Sequence, residues 1–236
     1  MNNILLKIDN IEICKIIKRL NKFVVVVEIS GKKKYGYLAN TGKLSDYIVC
    51  GRKAFCVPKE SGRTQYRIIA VEEHGLGAVL DTFIQMKAFE KAIDLNLIPW
   101  LEGYRIAKRN PRLDHSILDY LLEKNDNRVY IEVKSAVQRV NTYGASYPDC
   151  PTPRGRRHIR KLIHYHVTKG FHTGIVFIAA IPHIKYFTPN KNIDPEIYHL
   201  IREAINHNVL VKAINIYFTP KHNTIVLGNT DIPVIL

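Results

Sequence analysis

Two carboxylates and a lysine occur together where the sequence predicts a buried strand. Glu132 and Lys134 lie within Val129 to Ser135, an apolar and β-branched run that is typical of such a strand. Asp119 precedes this run by one predicted turn. Charged side chains in a buried strand cost desolvation energy unless they are paired or bind a cation. These residue types would suit a metal site that cleaves phosphodiesters. The alternative is the remnant of such a site.

The predicted turn between the two strands determines how the acids face each other. Asn125-Asp126-Asn127 is a strong turn signal, and a turn centred on its first two residues places Asp119 directly opposite Glu132. A register one residue away is the alternative, because the sequence does not define the turn type. Like charges that face each other destabilise a strand pair, and a divalent cation between them removes that penalty.

Mg²⁺ is the cation that suits Asp119 and Glu132, with Mn²⁺ as the second choice, because both carboxylates offer hard oxygen ligands. Such an ion would polarise a phosphodiester and lower the pKa of a bound water. Lys134 shares the face of Glu132 by strand alternation. It would orient or deprotonate that water, or stabilise charge on the phosphate. The alternative is a metal-free cluster in which Lys134 forms a salt bridge with one of the acids.

The chain of 236 residues carries 35 Lys and Arg against 21 Asp and Glu, a formal charge of +14. Residues 150–193 contain no Asp or Glu and supply eight of the basic residues. Such an excess favours a polyanionic partner, because neutralised phosphates release counterions. Arginine forks suit backbone contacts rather than base reading; the alternative is a solvated helix face. The candidate phosphate ligands are Arg154, Arg156, Arg157, Arg160 and Lys161.

The histidines and cysteines do not predict a zinc site, because their spacing does not bring ligands together. His158, His164, His166 and His172 are interpreted as surface or phosphate-facing side chains. The cysteines are Cys14, Cys50, Cys56 and Cys150. We expect reduced thiols, which favours a cytoplasmic location.

The sequence predicts neither a secretory signal nor a membrane span. Its longest clean apolar run, Ile175 to Ile181, is too short to cross a bilayer. The apolar share of 46% favours a folded chain. We therefore expect a soluble protein with no membrane partner. No obligate protein partner is evident, and the oligomeric state is not determined by the sequence.

Residues 1–82 are predicted to form a β-rich domain. Five short strands with little helix are typical of a small barrel, with an OB-type barrel as the candidate. This class often binds oligonucleotides, although a fold alone does not establish that function. The predicted strands are Phe23–Ile29, Lys32–Leu38, Lys53–Val57, Tyr66–Val71 and Gly75–Leu80.

Residues 83–236 are predicted to form an α/β domain. Helical periodicity predicts helices at residues 84–96, 156–169 and 195–207, the second ending at Gly170. Strands are predicted at residues 117–123, 128–136, 174–181, 211–218 and 224–227. Residues 144–155 are predicted to form a loop.

Several motifs together resemble the sugar fermentation stimulation (SfsA) family. Ile131 to Ser135 resembles that family's acid-valine-lysine-serine strand, and Tyr147 to Gly155 with His158 resembles its second signature. Asn40 to Leu44 is similar to its Asn-Thr-Gly-Arg-Leu element. Leu101 to Tyr104 and Ile232 to Val234 also fit. An arginine usual before the hairpin is absent from Ser116 to Asp119.

The resemblance implies an OB-like N-terminal barrel followed by a restriction-endonuclease-like domain of the PD-(D/E)XK class, an α+β chain overall. It implies that Asp119, Glu132 and Lys134 occupy catalytic positions. It identifies Asn40, Thr41, Asp149 and His158 as family-motif residues, and it implies DNA binding.

The function expected first is DNA binding through the phosphate backbone with low sequence specificity, combined with a Mg²⁺-dependent nuclease site. Two alternatives stay open. The chain would act mainly as a metal-dependent nuclease on DNA or RNA, or it would bind or process RNA, because OB folds accept either polymer.

Overall fold

The N-terminal part of the chain forms a closed five-stranded barrel in the computed structural model, which describes residues 3–113 and 116–236. The strands run in the order β4-β3-β2-β5-β6, and parallel pairing of β4 with β6 closes the barrel. The predicted OB-like barrel is confirmed. The first seven strands are β1 (Ile4–Lys7), β2 (Glu12–Arg19), β3 (Val24–Ile29), β4 (Lys32–Tyr37), β5 (Lys53–Pro58), β6 (Tyr66–Glu73) and β7 (Leu76–Val79).

The membership of the barrel differs from the prediction at one strand. The sequence indicated the segment around β7 as the fifth strand, but β2 takes that place between β3 and β5. In β2 the buried residues Cys14 and Ile16 alternate with exposed charged residues such as Lys15. This alternation is what a barrel strand with a solvent-facing side requires, and the frequent charges obscured it.

The C-terminal part is an α/β domain with three helices and a 3-10 turn. The helices are α1 (Thr82–Asp94), α2 (Pro153–Lys169) and α3 (Pro195–Asn206), and the turn spans Pro99–Leu101. The remaining strands are β8 (Arg105–Arg109), β9 (Arg112–Leu113), β10 (Ser116–Ile117), β11 (Tyr120–Lys124), β12 (Asn127–Ala136), β13 (Gln138–Val140), β14 (Gly144–Tyr147), β15 (His172–Ala179), β16 (Tyr186–Pro189), β17 (Leu210–Thr219) and β18 (Thr224–Asn229).

Parallel pairing of β12, β15 and β17 forms the centre of this domain's sheet, and β11 and β8 extend it on the β12 side in antiparallel fashion. Every residue of β15 after His172 is buried, as expected for the middle strand of a covered parallel sheet. Residues on β12 are therefore held in a rigid part of the molecule.

The sheet is continuous across residue 82. Strand β7 pairs with β17 at Gly77 and Phe218, and β1 pairs with β18. The division into residues 1–82 and 83–236 stays a prediction.

The three helices begin at side-chain caps that the sequence supplies. Asp81, Thr152 and Asp194 each accept a hydrogen bond from a backbone N–H in the first turn of α1, α2 and α3. Gly170 ends α2 in the left-handed conformation, as predicted. The predicted loop at residues 144–155 is wrong in part, because Gly144–Tyr147 pairs with β13 and β16.

The expectation of reduced thiols is wrong for one cysteine pair. Cys14 on β2 and Cys56 on β5 are joined in a disulfide within the barrel. Antiparallel pairing places Glu12 opposite Cys56 and Cys14 opposite Ala54, so the two cysteines are diagonal neighbours on one face. Cys50 and Cys150 are free.

Across residues 3–113 and 116–236, no helix combines the length and the apolar character that crossing a bilayer requires.

Candidate active site

The hairpin of β11 and β12 has the register that the turn signal predicts. Lys124 pairs with Asn127 and Tyr120 with Ile131, so the next position places Asp119 opposite Glu132. Asn125 adopts the left-handed conformation that such a turn needs, with φ of 52°.

Asp119 lies just before β11 and is held by the neighbouring strand. Its Oδ2 atom accepts a hydrogen bond from the backbone N–H of Val133, at 2.7 Å. Burial and then the nearby charge of Glu132 raise the pKa of Asp119 to about 6, against the opposing influence of that hydrogen bond. Burial, and after it the charge of Glu132, therefore disfavour the ionised form of Asp119.

Glu132 is almost fully buried, with 3% of its surface exposed. Its Oε1 atom accepts hydrogen bonds from Lys134 Nζ and from His158 Nδ1. Burial favours the neutral acid, yet Lys134 and His158 together lower its pKa. Glu132 is thus an ionised, buried carboxylate with one oxygen fully engaged.

The second oxygen, Glu132 Oε2, is buried and has no hydrogen-bond partner within the part of the chain that the structure describes. Such a group costs free energy unless a partner or a cation satisfies it. Asp119 and Glu132 Oε2 therefore fit a divalent cation. No group of three or more His, Cys, Asp or Glu side chains suited to a metal is found among residues 3–113 and 116–236. Two carboxylates are sufficient for Mg²⁺, which keeps several waters.

Lys134 is 12% exposed and forms the salt bridge with Glu132 that the sequence allowed as an alternative. Burial alone would lower the pKa of Lys134, but the charge of Glu132 raises it. The lysine is consequently a protonated ammonium group at neutral pH.

His158 was predicted to be a surface or phosphate-facing histidine, and this prediction is wrong. Only 6% of it is exposed, and it contacts Glu132 from α2. The apolar face of α2, with Ile159 and Leu162, is buried against the domain, and His158 adjoins that face. The contact joins a strand to a helix that follows it, so sequence spacing alone does not reveal it.

A cavity of about 370 Å³ opens beside Asp119 and is also lined by Phe83, Glu90 and Arg109. The Arg109 guanidinium pairs with Glu90 through two contacts of 2.8 and 2.9 Å, and Tyr120 donates to the same carboxylate. Sequence reasoning did not single out Glu90 or Arg109, which come from α1 and β8 and meet only in the fold.

The basic residues of α2 divide into two groups. Arg156 contacts the buried Asp194 at 3.0 Å and Glu196 at 2.9 Å, and Arg160 also pairs with Glu196. These acids follow directly after the acid-free stretch. Arg154 and Arg157 are exposed and Lys161 is half-buried. These last three form no salt bridge with any residue that the structure describes.

Three of the four family-motif residues, Asn40, Thr41 and Asp149, lie where the barrel contacts the second domain. Asn40 Oδ1 accepts a hydrogen bond from the Gly42 N–H at 2.9 Å, which shapes the loop that follows β4. Asp149 Oδ2 accepts from the Leu44 N–H of this loop at 2.8 Å. A Cβ atom at Gly42 would lie 2.6 Å from that carboxylate, so glycine permits the approach. Thr41 is exposed within the same loop.

Arg19 also holds this loop and was not predicted. Its Nη1 atom donates to the carbonyls of Gly42 and Lys43 at 2.7 and 2.8 Å, and its Nη2 atom donates to the Asn40 carbonyl at 3.2 Å.

These observations define a class of protein: an OB-like barrel followed by a restriction-endonuclease-like α/β domain, with acids and a lysine on the central hairpin. The chain belongs to the sugar fermentation stimulation family. Residues 17–80 match the SfsA N-terminal OB domain, and residues 83–222 match the sugar fermentation stimulation protein RE domain.

Relatives match along nearly the whole chain. The sugar fermentation stimulation protein homolog of Pyrococcus furiosus is 41% identical over 221 residues, which cover 94% of this chain and 95% of that protein. The homolog of Archaeoglobus fulgidus is 38% identical over 232 residues, covering 98% and 99%. A solved structure of Pyrococcus furiosus SfsA in complex with Ca²⁺ superposes with a TM-score of 0.94, at 38% identity and 99% coverage of both chains.

Proposed function

We propose that this protein binds DNA through its phosphate backbone with low sequence specificity, and that Asp119 and Glu132 hold a divalent cation for phosphodiester cleavage. The observation that carries the proposal is Glu132 Oε2, a buried oxygen without a partner among the described residues, next to an acid whose pKa is raised to about 6. A protein with only a structural role for these acids would gain stability by neutralising one of them.

A hard divalent ion fits this donor set. Mg²⁺ accepts one or two carboxylates together with water and phosphate oxygens, and the Ca²⁺ complex of the Pyrococcus furiosus relative supports an ion of this kind. Once bound, the cation supplies Lewis acidity to the phosphodiester. Asp119 and Glu132 would hold it, and His158 would keep Glu132 in position through the Nδ1 contact.

Of the two roles considered for Lys134, charge stabilisation is the one that its environment supports. The raised pKa keeps a proton on Nζ at neutral pH, so this amine is a poor base. An ammonium group beside Glu132 would instead stabilise negative charge that develops on the phosphate. We assign that role to it.

Backbone binding is supported by the net charge of +14 and by the exposed cations on α2. Arg154 and Arg157 are exposed without acidic partners among the described residues, so they are available for phosphate oxygens. Arg156 and Arg160 are engaged with Asp194 and Glu196, and we assign them to the packing of α2 on α3.

The test is cleavage of DNA and RNA oligonucleotides by the full chain with Mg²⁺, Mn²⁺ or a chelator. We expect cutting that needs the metal and that Asp119→Asn and Glu132→Gln each abolish. Asp126→Asn is the matched control, because Asp126 is exposed at the tip of the same hairpin. Cutting that persists in Asp119→Asn, or that ignores the chelator, would overturn the assignment.

A second candidate is a non-catalytic DNA-binding protein on the same scaffold. The salt bridge between Lys134 and Glu132 favours it, because this contact gives the buried Glu132 charge a partner within the chain. Salt-dependent binding of DNA without cutting of any substrate in either metal would support this candidate against the first.

A further inference from the structure

Four aromatic side chains line a cleft of about 360 Å³ between the barrel and the second domain: Phe23, Tyr37, Phe83 and Tyr147. Phe83, together with Thr82 and Ser135, also lines the cavity that contains Asp119. The aromatic cleft therefore adjoins the candidate active site.

Two of these rings are far more exposed than a packing role requires. Phe83 is 57% exposed and Phe23 is 46% exposed. Phe23 and Tyr37 lie nearly parallel, with their planes 16° apart and centroids 6.4 Å apart. Tyr147 packs on Phe177 at 5.7 Å and forms a fixed wall. Exposed apolar rings gathered in one concave surface mark a binding site.

Cations lie beside two of the four rings. The Arg67 guanidinium lies 5.0 Å from the Phe83 ring centroid, and Lys59 Nζ lies 5.0 Å from the Tyr37 centroid. Arg67 is also held by the buried Asp81, which fixes its plane beside the ring. The surface thus combines flat apolar faces with positive charge.

Asp149 is the one acid among the described residues that line the cleft, and its negative charge is engaged with groups of the chain. Its Oδ2 atom accepts the Leu44 N–H, and its charge interacts with Arg19. The carboxylate is thus turned towards the loop that it stabilises.

We propose that the aromatic cleft binds the unpaired bases of a single-stranded nucleic acid, and that this strand continues into the Asp119 cavity. This inference rests on the proposed function and names its substrate class. Every base has a face that can stack on an aromatic ring, whereas a duplex hides those faces inside its own stack. Lys59, which forms no salt bridge with a residue that the structure describes, serves the phosphates of the same strand, whereas Arg67 is engaged with Asp81.

The test is fluorescence anisotropy with a labelled single-stranded DNA, its duplex and the matching RNA, in a chelator so that nothing is cut. In wild type we expect the single strand to bind more tightly than the duplex. Phe83→Ala should weaken single-strand binding about ten-fold, because one base loses its stacking partner. Duplex binding should change less than about two-fold, because paired bases do not stack on the ring. Phe83→Trp should restore single-strand binding.

Tyr143→Ala is the matched control. Tyr143 is 45% exposed and has Lys185 Nζ at 4.2 Å from its ring centroid, but it lines neither the cleft nor the Asp119 cavity. Its replacement should leave the preference for single strands unchanged. The thermal unfolding temperature of each variant establishes that it is folded.

Single-strand binding that survives Phe83→Ala unchanged, or equal affinity of wild type for strand and duplex, would overturn the inference and leave the metal site standing. Failure of wild type to bind any of the three polymers would instead overturn the proposed function as well.

Discussion

The Oδ2 atom of Asp119 lies 2.7 Å from the backbone nitrogen of Val133 and accepts its hydrogen bond. This bond crosses from the residue that precedes β11 to the strand that carries Glu132 and Lys134. It therefore fixes the Asp119 carboxylate against the backbone of Val133, the residue that lies between Glu132 and Lys134 in the sequence. The acidic pair is positioned by main-chain geometry rather than by flexible side chains.

The raised pKa of Asp119 predicts how the metal-free protein responds to pH. Between the ordinary value of 3.8 and about 6, the folded state binds this proton more tightly than the unfolded state. Protonation of Asp119 therefore stabilises the folded state. This contribution is complete below that window and is lost as the pH rises through it. Asp119→Asn removes the titration, so at pH 7.5 in chelator the variant should be about 1–3 kcal/mol more stable, after allowance for solvent screening.

Urea unfolding at several pH values measures this difference. At acidic pH, where the carboxyl is protonated in both states, the advantage of Asp119→Asn should vanish. Addition of Mg²⁺ should stabilise wild type and leave the variant unchanged. A variant less stable than wild type at pH 7.5 in chelator would contradict the environment assigned to Asp119.

Removal of Glu132 should lower the stability of the folded protein, because the buried Lys134 charge loses its partner. Glu132→Ala leaves an ammonium group that is 12% exposed without its partner, and the loss should be about 3–5 kcal/mol. The double variant Glu132→Ala with Lys134→Met should recover much of that loss, because both charges are gone. Chemical unfolding of Glu132→Ala, Lys134→Met and the double variant gives a double-mutant cycle. Strictly additive losses of stability would show that the two side chains do not interact.

His158 should act on the metal through Glu132. His158→Ala frees Glu132 Oε1 from one of its two contacts, so we expect metal affinity to fall about 10–100-fold. Calorimetric titration with Mn²⁺ measures the affinity directly, without a cleavage assay. His164→Ala is the control, since His164 is exposed on the same helix. Equal losses in both variants would indicate a general effect on α2.

The two groups of arginines on α2 should separate in their salt dependence. Arg157→Ala should weaken DNA binding equally for all sequences and reduce the slope of log affinity against log salt by about 1. Arg156→Ala should instead lower stability, because the fully buried Asp194 loses its cationic partner and keeps only backbone hydrogen bonds. Binding isotherms at several salt concentrations, with thermal unfolding beside them, distinguish the effects. An unchanged slope for Arg157→Ala would remove it from the phosphate-binding surface.

The register of the central hairpin could be read from the sequence because a local turn determines it. Asn125 and Asp126 set the pairing, and alternation then places Glu132 and Lys134 on one face. Local signals of this kind also identified the three helices and the Gly170 cap of α2, but not the side chains that cap their N-termini. The strand β2 was not predicted because four of its eight residues are charged, among them Lys15 between the buried Cys14 and Ile16.

Contacts between distant segments could not be read in this way. Glu132 and His158 belong to a strand and a following helix, and nothing in their spacing indicates the contact. The pairing of Arg156 with Asp194 was not predicted, because the acid-free segment ends at residue 193, one residue before Asp194. The aromatic cleft joins Tyr37 from the barrel with Phe83 from α1, so only the folded chain brings these rings together.

Two strands of the N-terminal part, β1 and β7, pair with β18 and β17 of the C-terminal part. A fragment that starts at residue 83 would lack both of these partner strands. Its β17 and β18 would each present an open edge with unsatisfied backbone groups, which invites self-association. Truncated versions should therefore precipitate or form fibrils, and the two halves should lose their structure in a single cooperative step when the intact chain is heated.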